Sequence, residues 1–131
     1  MRLVVIDTNI LVSALWSNDG NPFKIVEMIF TNEITPCLNS DILDEYSEVL
    51  HRKKLGFPAG KVKDLLGEIT KNGIFLSSDK STIKFVDESD RKFFDLAKSN
   101  NAVLITGNIK HYPLEQFVLN PHDYLLLCRI P

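Results

Sequence analysis

The sequence has no excess of charge of either sign, almost no cysteine, and no long apolar run. Fifteen Lys and Arg stand against seventeen Asp and Glu, a formal net charge of −2. That balance excludes a strongly basic coat for nucleic acid and a disordered polyelectrolyte. Cys37 and Cys128 are too few for a disulfide framework and lack metal-ligand spacing, so both read as small buried hydrophobes. The first apolar run, Leu3 to Ile6, breaks at Asp7, which is too short for the core of a signal peptide. No stretch approaches a membrane span. A soluble, cytoplasmic protein with reduced cysteines and no membrane partner is expected. No repeat, low-complexity tract or linker divides the 131 residues, so 1–131 reads as one domain. With 44% apolar residues it has enough material for one core.

Within that chain, short apolar runs alternate with amphipathic stretches. Leu3 to Ile6 is continuous and mostly β-branched, the pattern of a strand buried on both faces. Asn9 to Trp16 reads as a helix. Asn21-Pro22 opens another, with Phe23, Val26, Ile29 and Phe30 at helical spacing. Ile34 to Leu38 is a second strand despite Pro36. Asn39 or Ser40 caps a helix that is expected to run to about Lys54. Gly56, Pro58 and Gly60 mark a loop, Lys61 to Lys71 a helix, and Asn72-Gly73 its end. Ile74 to Leu76 is a third strand and Ser77 to Thr82 a polar loop. Glu88 to Ser99 is a helix stopped by Asn100-Asn101. Ala102 to Thr106 and Phe117 to Leu119 are strands, and Pro121 opens a last helical segment through Leu127. Strands alternating with helices imply a parallel sheet covered on both faces. Ligands of such sheets bind beyond the carboxyl ends of the strands.

The residues at those ends are therefore the ones to weigh. Asp7-Thr8-Asn9 follows the first strand and Thr106-Gly107-Asn108 the fourth. Taken alone, each reads first as a capped turn. On the helix after Asn39, Ile42, Leu43, Tyr46, Val49 and Leu50 form one stripe. Asp41, Asp44 and Glu48 lie well round from it, and Glu45 alone sits at its border. Asp90 shares a face with Phe93, Phe94 and Ala97. A carboxylate there is costly unless paired, hydrogen-bonded or metal-bound; the plainer role is a cap in the first turn, with Asp87. Asp7, Glu45 and Asp90 gathered in one cleft would repel and raise one another's pKa. A divalent cation resolves that conflict, and an oxygen-only set suits Mg²⁺ or Mn²⁺. Such an ion polarises a phosphoryl group and lowers the pKa of a bound water.

These segments resemble the PIN-domain nucleases. V-V-I-D-T-N-I-L-V-S-A-L at 4–15 and N-A-V-L-I-T-G-N-I-K-H-Y-P at 101–113 carry the most specific likeness. L-D-E-Y-S-E-V-L at 43–50, D-E-S-D-R-K-F-F-D-L-A at 87–97 and V-L-N-P-H-D-Y-L at 118–125 are similar to the remaining motifs in order. The likeness leans towards the prokaryotic toxin components related to VapC. It implies a three-layer α/β/α fold with a short parallel sheet of five or so strands, and a ribonuclease that uses Mg²⁺ or Mn²⁺. It also implies a homodimer with a partner antitoxin. By motif, Asp7, Glu45 and Asp90 match the family's metal-binding acids, and Asn108 falls where the fourth acid is commonly Asp. An Asn carbonyl can ligate but brings no charge, which puts a second metal ion in question. Thr8 and Thr106 match small polar positions beside the acids.

Other polar residues have two readings each. Lys110 and His111 either meet an RNA backbone or, for His111, cap structure near Pro113. His51, Arg52, Lys53 and Lys54 either favour a helix C-terminus or lie on a substrate path. Lys61, Lys63 and Lys71 read as solvated faces. Trp16 is a stacking platform, a core residue or a dimer contact, and His122 with Asp123 belongs to a turn. Function then divides three ways. Asp7, Glu45, Asp90 and Asn108 form the catalytic site of a ribonuclease cutting single-stranded or looped RNA. Alternatively, Asn108 marks a decayed site in a module that binds RNA or an antitoxin. A phosphatase with an aspartyl nucleophile at Asp7 would want a second Asp at position 9, where Asn9 stands.

Overall fold

The β-branched run at the N-terminus forms β1, Leu3–Ile6, and Val4, Val5 and Ile6 are fully buried. A strand with no polar side chain can occupy only the middle of a covered sheet, and β1 does. The computed structural model describes residues 2–129. Among these, four further strands complete the sheet around β1: β2 Thr35–Leu38, β3 Ile74–Phe75, β4 Val103–Ile105 and β5 Val118–Leu119. The order is β3-β2-β1-β4-β5, and every pairing is parallel.

Among the described residues six α-helices cover this sheet: α1 Thr8–Trp16, α2 Asn21–Phe30, α3 Ser40–Leu50, α4 Ala59–Asn72, α5 Arg91–Ser99 and α6 Pro121–Cys128. α1 packs on α2 and α3, and α2 on α4 and α6, while α5 lies against β1, β2 and β4. The chain moves outward from β1 to β3, then returns to add β4 and β5 on the other side. The right-handed crossover from β3 to β4 therefore puts α5 on the face opposite the α1–α4 crossovers, giving the three-layer α/β/α architecture. The reversal places a switch point between β1 and β4, where such sheets hold their ligands.

Two expected helices end differently. α3 stops at Leu50 rather than at about Lys54, because the His51 N–H closes on Ser47 and Val49 and Arg52 turns to extended backbone. Lys53–Leu55 is a separate 3₁₀ turn, closed by Gly56 at φ +68°, a left-handed conformation open to glycine. The basic run thus begins at the end of α3, where His51 Nδ1 lies 2.7 Å from the Ser47 carbonyl of the last turn and Arg52 pairs with Glu48. The segment expected as one helix from Glu88 splits into a 3₁₀ turn, Glu88–Asp90, followed by α5. Asp87 sets that turn by accepting from the Ser89 N–H at 2.9 Å. Asn39 is the cap of α3, accepting from the Ile42 N–H at 2.9 Å.

Cys37 is buried in β2 and Cys128 half-buried in α6, both as free thiols. Trp16 is not core: it is 63% exposed, with its ring edge-on to Phe57 at 5.6 Å between centroids.

Gly73 brings the chain out of α4 into β3 against crowded neighbours. A Cβ there would lie 2.6 Å from Leu38 Cδ1, 2.7 Å from the Ile69 carbonyl and 2.9 Å from the Pro36 carbonyl. Gly67, inside α4, has open space around it. Gly73→Ala is expected to lower stability by about 1–3 kcal/mol through overpacking against backbone. Gly67→Ala is expected to raise it by about 0.5–1 kcal/mol through helix propensity. Urea denaturation midpoints of the two variants check the opposite signs.

Candidate active site

Asp7 follows β1 at the switch point. Its N–H donates to the Ile105 carbonyl at 3.0 Å, extending the β1–β4 pairing to the end of both strands. Although it precedes α1, its side chain makes no cap hydrogen bond. Its Oδ2 instead accepts from Thr106 Oγ1 at 2.8 Å and from the Tyr112 hydroxyl at 2.8 Å. The capped-turn reading of Asp7 gives way to a cross-sheet one. Only 6% of Asp7 is exposed. Burial pushes its carboxyl above the ordinary value; the hydrogen bonds from Tyr112 and Thr106 oppose that rise, and the charge of Glu45 adds to it.

Glu45 reaches the same region from α3, as its border position predicts, while Asp41, Asp44 and Glu48 are exposed. Thr8, next to Asp7, donates its hydroxyl to Glu45 Oε2. Glu45 Oε1 lies 2.6 Å from Lys92 Nζ. The neighbouring Tyr46 is fully buried and donates its hydroxyl to the Ile6 carbonyl, fastening α3 to the end of β1. Burial, then the charges of Asp7 and Glu45, hold that phenol far above its usual range.

Asp90 comes from the turn before α5. It stands at the cap position but makes no cap bond, since Asp87 already serves that turn. Its side chain is 14% exposed, and His111 Nδ1 lies 3.6 Å from Oδ2, too long for a hydrogen bond. Oδ2 is buried without a hydrogen-bond partner. The Asp90 carboxyl is pushed up to about 6, first by burial, then by the charges of Asp7 and Asp87, with Glu45 contributing and His111 opposing.

The three acids therefore share one electrostatic environment at the carboxyl edge of β1, β2 and β4. They are not a finished ligand set: among the described residues no three His, Cys, Asp or Glu side chains form a metal-holding group. The Lys92 ion pair occupies one oxygen of Glu45. The donor chemistry nevertheless fits a hard divalent cation, because a buried carboxylate oxygen without a donor, beside two further carboxylates, is what such an ion satisfies.

Asn108 is attached to this group through its backbone, its N–H donating to Thr106 Oγ1 at 3.0 Å. Its side chain is exposed and lines a neighbouring cavity of about 430 Å³ with Asn9, Gly107, Asn120 and His122. His111 meets Asp90 rather than structure near Pro113, and Lys110 is exposed. His122 and Asp123 lie in the first turn of α6, capped by Asn120. Sequence reasoning missed Tyr112 and Lys92. Tyr112 stood inside the 101–113 motif. Lys92 follows Asp90 by two positions, with nothing in the spacing to pair it with Glu45.

Residues 3–110 match the family described as the PIN domain. The chain belongs to the PIN-domain family. An uncharacterized protein of Methanocaldococcus jannaschii is 31% identical to it over 108 residues, 80% of this chain and 70% of that protein. PIN membership points to a nuclease that binds nucleic acid, and the matched span contains Asp7, Glu45, Asp90 and Asn108. Tyr112 and α6 lie beyond it. No described helix is long and apolar enough to cross a membrane.

The raised Asp90 carboxyl gives a signed pH effect in this PIN domain. Between its ordinary value of 3.8 and about 6, the folded state holds a proton that the unfolded state has lost. Stability from this group is thus full below the lower value and declines as pH rises through the upper one. In chelator, the wild type is expected to lose stability relative to Asp90→Asn across that window. Urea midpoints of both proteins against pH measure it, and parallel curves would refute the shift.

Proposed function

We propose that this PIN domain is a Mg²⁺- or Mn²⁺-dependent ribonuclease hydrolysing phosphodiesters of single-stranded or looped RNA. The observation that carries this reading is the orphaned Asp90 Oδ2, buried beside Asp7 and Glu45 at the switch point. Asp7, Glu45 and Asp90 would hold the cation, which when bound neutralises the carboxylates, polarises the phosphoryl group and acidifies water. Tyr112 and Thr106 orient Asp7 by holding one of its oxygens. Thr8 does the same for Glu45. Lys92 sits where its ammonium can serve either Glu45 or a phosphate oxygen. Water attacks phosphorus, so no side-chain nucleophile is required. Asn108 is a neutral group at the rim, where its amide can orient substrate without adding charge.

One observation favours a second reading. With Asn108 turned to the neighbouring cavity and Glu45 paired to Lys92, the domain would bind RNA or an antitoxin with little cleavage. We extend the first reading to a toxin component that acts in the cytoplasm as a homodimer and is held by an antitoxin. Two exposed aromatics, Trp16 and Phe30, beside a groove of about 680 Å³, support a protein partner. A small DNA-binding protein encoded in the adjacent gene is the simplest check of that role.

Cleavage of a labelled single-stranded RNA should require Mg²⁺ or Mn²⁺ and should fall by more than about a hundredfold in Asp7→Asn, beyond the loss of an outer-shell partner. Activity that survives chelator or the substitution overturns the reading. Excess Mn²⁺ should also raise the melting temperature of the wild type and not of Asp90→Asn. Metal-induced stabilisation without cleavage would favour the binding module.

A further inference from the structure

Each oxygen of Glu45 already has a donor, and the two donors differ in kind. Thr8 gives a neutral hydroxyl to Oε2. Lys92 gives a charged ammonium to Oε1, 2.6 Å away. A hydroxyl can stay on a carboxylate that also ligates a cation, because each oxygen keeps a second lone pair and no like charge is added. An ammonium on the same carboxylate puts a positive charge beside the incoming ion and opposes it. The side chains of Lys92 and Glu45 are only 19% and 22% exposed, so salt and water screen that repulsion little.

The ammonium has other attachments to fall back on. Nζ also donates to the Ser89 carbonyl and lies 5.1 Å from the centroid of the Phe93 ring. Its charge is felt at Asp87 as well. Asp87, Ser89 and Phe93 all belong to α5 or to the turn that leads into it, so they stay with Lys92. Glu45, on α3, is its one ion-pair partner among the described residues. Asp41, Asp44, Glu88 and Asp95 share the wall of the cavity beside Glu45 but make no pair with it. Arg91 cannot take over, because its Nε is on Glu88 at 2.8 Å and its Nη1 on the Ser81 carbonyl at 2.7 Å. Release of Glu45 therefore removes one partner and leaves the ammonium beside the acids.

We infer that Lys92 is a tethered stand-in for the divalent cation. In the metal-free protein it neutralises Glu45 and joins α3 to α5. When the acids take up a cation it gives up Oε1, keeps its hold on Ser89 and Phe93, and turns its freed donor to the substrate phosphate. Lysine and metal thus compete for one oxygen. Metal and RNA favour each other, because metal loading is what frees the lysine for the RNA backbone, and such coupling is reciprocal. The inference rests on the ribonuclease reading, which assigns the competing ion to Asp7, Glu45 and Asp90.

Calorimetric titration of the RNA-free protein with Mn²⁺ measures the competition directly. Lys92→Met, which keeps the apolar stem and removes the charge, should bind Mn²⁺ about fivefold more tightly than the wild type, or better. Lys98→Met removes the same charge from the exposed last turn of α5 and should leave the affinity unchanged. In cleavage of single-stranded RNA at saturating Mn²⁺, Lys92→Met should instead raise KM. Tighter metal with weaker RNA is a pair of opposite shifts that a purely structural lysine would not produce. Should the variant fail to fold, nuclear magnetic resonance of the lysine ammonium groups in the unaltered protein decides: the Lys92 signal should move as Mg²⁺ saturates the site, and the Lys98 signal should not. Mn²⁺ bound no more tightly by Lys92→Met, an unchanged KM, or a Lys92 signal indifferent to Mg²⁺ overturns the inference and leaves the nuclease standing. Tighter Mn²⁺ binding by Lys92→Met with no cleavage by the wild type upholds the competition for Glu45 and defeats the nuclease. Mn²⁺ bound by neither protein defeats both.

Discussion

A carboxylate buried at the end of the central strand is the constraint around which this domain is organised. Asp7 sits where β1 and β4 diverge and is almost wholly removed from water. Desolvation of that kind is tolerated only with compensating donors. Thr106 and Tyr112 provide two, both to the same oxygen. That leaves the acid oriented but not neutralised, and it forces order on its surroundings. β4 must end on a hydroxyl residue at that level, and the chain beyond must turn back far enough to bring Tyr112 inward. Tyr46, hydrogen-bonded to the Ile6 carbonyl, ties α3 to the same point and thereby fixes where Glu45 can reach.

The remaining charges follow from that first one. Glu45 and Asp90 enter the field of Asp7, and each has one basic neighbour that offsets it in part, Lys92 at 2.6 Å and the His111 ring at 3.6 Å. The offsets are unequal. Lys92 gives Glu45 a close, half-buried partner, whereas His111 leaves Asp90 Oδ2 without a hydrogen bond. For a protein with net charge −2, attraction to phosphate cannot come from the whole-molecule field. In the proposed function it would be made locally, by a divalent cation held among these acids and by lysines such as Lys92.

Between β3 and the Glu88–Asp90 turn the chain has no regular structure, yet it is firmly attached. Asn100 donates to the Ser77 carbonyl, Ser99 accepts from the Asp79 N–H, Asp95 accepts from the Ser81 N–H, and Arg91 binds Ser81 and Ile83. One helix face thus replaces the ladder bonds this segment lacks. The turn before α5 and the first residues of that helix supply Asp90 and Lys92, so one rigid element positions one of the three acids and the lysine paired to another.

The sequence by itself determined the layer order and the strands, and it singled out Asp7, Glu45 and Asp90, whose charges the structure brings within reach of one another. Local rules are enough for these: β-branched runs bury, Asn39 caps, Pro22 opens a helix, and the border position of Glu45 follows from helical periodicity. It also marked Asp90 as out of place on an apolar face, and that was correct. It misjudged the ends of α3 and the start of α5, where side-chain and backbone bonds such as Asp87 to Ser89 decide within a single turn. Only the tertiary structure decided which oxygen of each acid is taken. Tyr112 lies 105 residues from Asp7 and Lys92 lies across a helix pair from Glu45. Periodicity reports the face on which a residue sits; it carries no information about which residue of another element meets it there. That depends on crossover geometry and packing, which the whole chain sets at once.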